Sequence, residues 1–99
     1  MNWLAFWDSP HSIYVCARHK DVHYRAIAEA ITALVPSHEA RVLDYGSGEA
    51  LHADIVAAAC GQLLLCEGAP RVRSGIAARF ADNPEIRALA PDDLKQLPD

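Results

Sequence analysis

The chain has 99 residues, a hydrophobic fraction of 52% and a charged fraction of 22%, the proportions of one small globular domain and not of a disordered tail. Its 13 acidic residues outnumber 9 basic ones, for a formal net charge of -4; the basic residues are spread along the chain, so no basic stripe invites nucleic acid and none is expected as a partner. Met1-Asn2-Trp3-Leu4 has no basic segment or long apolar run and reads as no signal peptide, and the longest apolar stretch, Ile55 to Cys60, is far too short for a bilayer, so a soluble, cytoplasmic protein without membrane contact is expected.

Residues 1–18 read as a covering or lid segment. Trp3, Phe6, Trp7 and Tyr14 gather most of the aromatic area at this end, and Asp8-Ser9-Pro10 is a turn signal. Exposed Trp and Phe are costly, so these residues either cover an apolar face of the body or close over a ligand or partner. Residues 19–35 read as a helix, with Ile27, Ile31, Leu34 and Val35 recurring at intervals of three and four. Asp21 is suited to its cap or first turn, and Pro36 ends it.

Arg41 to Tyr45 reads as a short strand, broken by Gly46-Ser47-Gly48. Glu49 to Cys60 reads as a helix with Leu51, Ile55, Val56 and Ala59 on its apolar face, stopped by Gly61 as a C′ glycine. Gln62 to Cys66 is a second strand. Its Leu63-Leu64-Leu65 run does not alternate, which suits a parallel strand covered on both faces. Pro70 opens another helix, with Val72, Ile76, Ala77 and Phe80 as its stripe and Gly75 as a weak point inside it. Asn83-Pro84 ends that helix, Ile86 to Leu89 is a third strand, and Pro91-Asp92-Asp93 turns the chain toward one helical turn over residues 94–97. The fold class is therefore α/β: a Rossmann-like parallel sheet of about three strands, βαβαβ preceded by a helix.

The cysteines, Cys16, Cys60 and Cys66, are odd in number and widely spaced, which fits free thiols, with Cys60 and Cys66 buried, and no disulfide framework. They lack the close pairing zinc requires. His11, His19, His23, His38 and His52 form no H-E-x-x-H or comparable ligand set, so no metal is expected. No serine stands in a G-x-S-x-G elbow.

Asp44-Tyr45-Gly46-Ser47-Gly48 is the most specific constellation. Gly46 permits a tight turn at the carboxyl end of a strand, and Gly48 lets a ligand approach the backbone. A helix from Glu49 would aim free amides into the same crevice, where open α/β sheets bind ligands. A dinucleotide loop fits less well, because Leu51 falls where the third glycine of G-x-G-x-x-G belongs and Asp44 would repel a pyrophosphate. A Walker loop is excluded, since no G-K-[ST] follows. Asp44 suits a cofactor with a cationic amino group. Glu67, directly after the second strand, is placed to accept both hydroxyls of a ribose, and Gly68 and Ala69 leave room for a flat ring.

Taken together, Val42-Leu43-Asp44-Tyr45-Gly46-Ser47-Gly48-Glu49-Ala50 resembles the first motif of the class I S-adenosylmethionine-dependent methyltransferases, and Glu67 is similar to the acidic residue that ends their second strand. Ala50 departs from the pattern, standing where the family often has a third glycine. The resemblance covers roughly residues 22–99. It implies S-adenosylmethionine as cofactor, held by Asp44, Tyr45, Gly46, Ser47, Gly48, Glu67 and Gly68. Asp44 would orient the ammonium, Glu67 the ribose, and Asp92, or else Asp93, the adenine. Tyr24 and Arg25 are candidates for the cofactor's carboxylate. The reaction implied is in-line methyl transfer to an unidentified acceptor. Because the family's sheet is larger than three strands, the chain is expected to be the amino-terminal part of a longer enzyme, inactive alone, with an unpaired edge on its first strand that invites self-association. The alternatives are an NAD-type nucleotide-binding domain and a non-catalytic α/β interaction module.

Overall fold

Three consecutive leucines define the centre of the molecule. In the computed structural model, which describes residues 3–8 and 16–98, Leu63, Leu64 and Leu65 are all buried. They lie in β2 (Gln62–Cys66), between β1 (Arg41–Tyr45) and β3 (Ile86–Leu89), and both pairings are parallel. A strand with neighbours on both sides and cover on both faces has no polar side to alternate toward. The register sets Val42 beside Leu63, Asp44 beside Leu65 and Leu65 beside Ala88.

Four α-helices accompany the sheet: α1 (Trp3–Asp8), α2 (Ala17–Leu34), α3 (Ala53–Ala59) and α4 (Pro70–Arg79); a 3-10 helix, Pro91–Gln96, follows β3. Leu63, Leu65 and Ile86 share one core with Ala28 of α2, Val56 of α3 and Ile76 of α4, so these three helices cover one face. Each fully buried leucine or isoleucine contributes roughly 1.5–3 kcal/mol to this layer. The other face carries the alternate residues. Leu64, Cys66 and Leu89 are buried there, yet Leu43 and Tyr45 of β1 are 46% and 70% exposed. Arg41, on that same side, donates from Nη2 to the Pro98 carbonyl at 2.7 Å, so the chain after β3 turns back toward the start of β1. The expected Rossmann-like arrangement of three parallel strands preceded by a helix is the one found.

Several local expectations change. Helix α2 starts at Ala17, which puts Asp21 beyond its first turn; Asp21 instead pairs with His52 at 2.6 Å. Leu34 is 82% exposed and does not belong to the core stripe. Pro36 disfavours helical backbone at Val35, which adopts φ -70 and ψ 121, so Val35 packs inward while Leu34 stays outside. Ala77 of α4 is likewise exposed.

The helix expected from Glu49 begins only at Ala53. Ala50 and His52 have φ values of 49° and 68°, left-handed conformations that no α-helix of L-residues continues through. Gly61 has no positive φ and is not a left-handed C′ residue. It is needed for space, because a Cβ there would lie 2.9 Å from the Glu39 carbonyl oxygen. The turn proposed at Asp8-Ser9-Pro10 continues into Ser9 and Pro10, which lie outside the described residues, as do His11 and Tyr14. Among the described residues no helix is long and apolar enough to cross a membrane, and no group of three or more His, Cys, Asp and Glu side chains is gathered to hold a metal ion.

Candidate functional site

The carboxyl ends of β1 and β2 meet at the glycine turn, and every amide from Gly46 to Glu49 has a partner. Gly46 and Ser47 donate to the Cys66 carbonyl at 2.8 and 3.2 Å, extending the β1–β2 ladder. Gly48 donates to Glu67 Oε2 at 2.8 Å, and Glu49 donates to the Tyr24 hydroxyl at 3.1 Å. The sequence suggested free helix amides pointing into the crevice. That expectation is corrected: α3 starts later, and the turn's own amides are already bonded.

Both glycines of the turn are in left-handed backbone, Gly46 at φ +78 and Gly48 at φ +60, where a Cβ is strained. The space beside Gly48 is taken by Tyr24, since a Cβ would fall 2.6 Å from its hydroxyl oxygen. Ala50 keeps positive φ without being glycine, and it is buried against the core. Around it, Lys20 Nζ pairs with Glu49 Oε2 at 2.9 Å, and Arg79 donates to the Glu49 carbonyl. Residues 46–52 are thus pinned by α2 on one side and by the end of α4 on the other.

Asp44 and Glu67 give the crevice its electrostatic character. Burial, and then the negative charge of Glu67, push the Asp44 carboxyl above its ordinary value of 3.8. Glu67 stands at the end of β2, where its Oε1 also accepts the Ala69 amide at 3.3 Å. The Arg73 guanidinium donates to the carbonyls of Glu67 and Gly68 at 2.8 and 3.4 Å, fixing the loop that carries them. Two neighbouring carboxylates beside already-satisfied amides favour a cationic group over an anionic one. A shallow, partly open hollow lies under Asp44 between α2 and α3, lined also by Tyr24, Ser47, Ala50 and Leu65.

Asp44, Gly46, Ser47, Gly48, Glu67 and Tyr24 are brought together. Ser47 is buried and turns its hydroxyl to the Gly48 carbonyl. Tyr45 projects from the opposite face of the sheet from Asp44 and is 70% exposed, so only its backbone borders the turn. Gly68 adjoins the 3-10 helix: a Cβ on it would come within 3.8 Å of Pro91 Cγ. Asp92 there is exposed. Asp93 is committed to the helix start, accepting the Ala90 amide at 2.9 Å. Arg25 is exposed on α2.

Of the two buried thiols, Cys66 ends β2 beside the turn, whereas Cys60 lies before the start of that strand, at the far end of the sheet. Burial raises the pKa of both Cys60 and Cys66, and for Cys66 Glu67 adds to the effect. They are free, as expected.

Sequence reasoning missed the left-handed Ala50, although its position in the motif, where a third glycine is common, was the available signal. It also missed Asp8 as a partner of α4. No local signal exists for a contact 63 residues away.

This sheet, its strand order and the glycine turn at the β1 carboxyl end define a fold like that of the class I S-adenosylmethionine methyltransferases. The 23S rRNA methyltransferase ErmE is similar over 66% of this chain and 27% of its own, with a TM-score of 0.58 and 23% identity. CalS10, an amino pentose methyltransferase from Micromonospora echinaspora that acts in calicheamicin biosynthesis and was solved with S-adenosylmethionine bound, is similar over 85% of this chain and 38% of its own, with a TM-score of 0.51 and 22% identity. The chain thus spans well under half the length of either structure, and at these identities the likeness shows the fold alone. No protein-family model matches the sequence, and no curated protein matches it.

Proposed function

We propose that this chain carries the S-adenosylmethionine-binding part of a methyltransferase whose acceptor is unidentified. The observation that carries the reading is the pair Asp44 and Glu67, set at the ends of adjacent parallel strands around a glycine turn with no amide to spare. A sulfonium nucleoside with an amino-acid tail brings two positive charges and a ribose to such a site. Asp44 would accept from the ammonium. Glu67 would exchange its bonds to Gly48 and Ala69 for the ribose hydroxyls, and Gly68 and Asp92 would border the adenine. Gly46 and Ser47 would form the floor of the methionine part, with Tyr45 contributing backbone only. Tyr24 supports the floor from α2, while Arg25 is the candidate counter-charge for the tail's carboxylate.

When bound, the cofactor supplies an electrophilic methyl group. The residues of this chain then bind and orient it, and the rate depends on positioning in line with the acceptor. An NAD-type reading is disfavoured by Asp44, because a pyrophosphate at the glycine turn would face its carboxylate.

Calorimetric titration with S-adenosylhomocysteine and, separately, with NAD tests the reading. Binding of the first and not the second is expected. Binding of NAD alone overturns it, and binding of neither at millimolar ligand turns the assignment to a non-catalytic interaction module.

A further inference from the structure

Leu4 of α1 lies directly over Gly68. A Cβ on Gly68 would meet Leu4 Cδ2 at 2.9 Å and Pro91 Cγ at 3.8 Å. The leucine therefore fills the notch between the loop after β2 and the loop after β3. That notch is bare of side chains on its β2 side, and it is the place a flat base would take if Glu67 held the adjoining ribose.

α1 is shallowly seated. The helix has six residues, none of them buried, and Leu4 is itself 53% exposed. Asp8 also ties it down, accepting the Arg71 amide at 2.6 Å and the Val72 amide at 3.4 Å, with the Arg71 guanidinium 4.0 Å away. These are amides of the first turn of α4 that Ala69, the residue before it, has no side chain to cap. A six-residue helix with no buried residue opens more readily than the core, where local stability is far greater.

We propose that α1 is a self-inhibitory plug: Leu4 occupies the place of a nucleoside base between Gly68 and Pro91, and a nucleoside ligand binds only as α1 lifts away. The inference rests on the methyl-donor reading for the identity of the ligand, but the plug contact itself does not. The apparent affinity of the chain is then lowered by the fraction of molecules in which α1 is closed.

The only two tryptophans, Trp3 and Trp7, both lie on α1, so fluorescence excited selectively at tryptophan reports on this helix. Titration with S-adenosylhomocysteine is expected to change tryptophan emission and acrylamide quenching along the same curve as the calorimetric heat. Leu4→Ala is expected to tighten binding about fivefold, and Asp8→Asn to move it the same way. Without any ligand, Gly68→Val places a side chain in the notch and is expected to raise tryptophan quenching, with circular dichroism unchanged. Binding heat with unaltered tryptophan signal, or equal affinity in the wild type and Leu4→Ala, overturns the plug while leaving the methyl-donor reading intact. Absence of binding heat in both chains removes the ligand assignment, and the plug then stands or falls on the quenching of Gly68→Val. Unchanged quenching in that variant overturns it.

Discussion

Burial and the neighbouring Glu67 keep a proton on Asp44 further up the pH scale than on a free aspartate. Between the ordinary value and the raised one, the folded chain binds more protons at this residue than the unfolded chain does. Asp44 therefore lowers stability as pH rises through that window, and the loss is complete above the raised value. Asp44→Asn removes the penalty, and a higher midpoint of thermal unfolding at neutral pH is expected. The same change removes a charge-assisted bond to a cationic ligand, worth roughly 1.5–3 kcal/mol, so affinity for S-adenosylhomocysteine is expected to fall. In the wild type, affinity is expected to rise with pH as Asp44 ionises; calorimetry across that range reads it, and a flat profile counts against contact with the ligand's ammonium. Gly48 makes a different demand. Gly48→Ala combines left-handed strain with a collision against the Tyr24 hydroxyl, a loss of about 2–4 kcal/mol. Chemical denaturation of Gly48→Ala, Tyr24→Phe and the double variant separates the causes, since only the collision is relieved in the double variant and Tyr24→Phe alone measures the lost bond from the Glu49 amide.

At the scale of elements, the parts set by a single strong pattern were readable in advance. The leucine run of β2 allowed no other strand assignment, Pro36 and Pro70 marked a helix end and a helix start, and Gly46-Ser47-Gly48 marked the end of β1. The errors arose where local preference competed with geometry. Glu49 to His52 has a helical composition, yet two left-handed residues and the bonds from Tyr24, Lys20 and Arg79 hold it as a turn. Leu34 fits a helical stripe, but the backbone break imposed by Pro36 hands its place to Val35. The acidic pair was legible as residues and as strand ends. Its closure onto the Gly48 amide was not, because the bond spans 19 residues. Within α4, Gly75 is exposed and a Cβ there meets nothing within 4 Å. Gly75→Ala is therefore expected to stabilise the chain by up to about 1 kcal/mol, read as a higher denaturant midpoint with unchanged slope.

For the molecule as a whole, the decisive asymmetry is between the two faces of the sheet. β2 is sealed on both sides, while the outer edge of β1 has no partner strand among the described residues. The face of β1 turned away from α2 presents Leu43 and Tyr45 to solvent. An edge strand is normally blunted by a charge or a bulge, but the central residues of β1 are Val42, Leu43 and Asp44, and Asp44 faces the crevice. Its one charge on the exposed face, Arg41, is occupied with the Pro98 carbonyl. Backbone groups at a free edge and apolar side chains beside it favour the same outcome, pairing with a second copy of this chain through β1. Light scattering coupled to size exclusion is expected to show a mass that grows with concentration. Leu43→Lys is expected to restore the monomer, because it puts a charge in the middle of the exposed stripe while the core-facing residues Val42, Leu63 and Leu65 stay untouched. A wild-type chain that remains monomeric at high concentration would mean that the edge is protected by its own twist or by the turn of chain near Pro98. The glycine turn at the end of the same strand predicts a link between the two properties: pairing that extends to Tyr45 would stiffen the backbone carrying Asp44 and Gly46. Ligand affinity measured below and above the association range should then differ in the wild type and stay constant in Leu43→Lys.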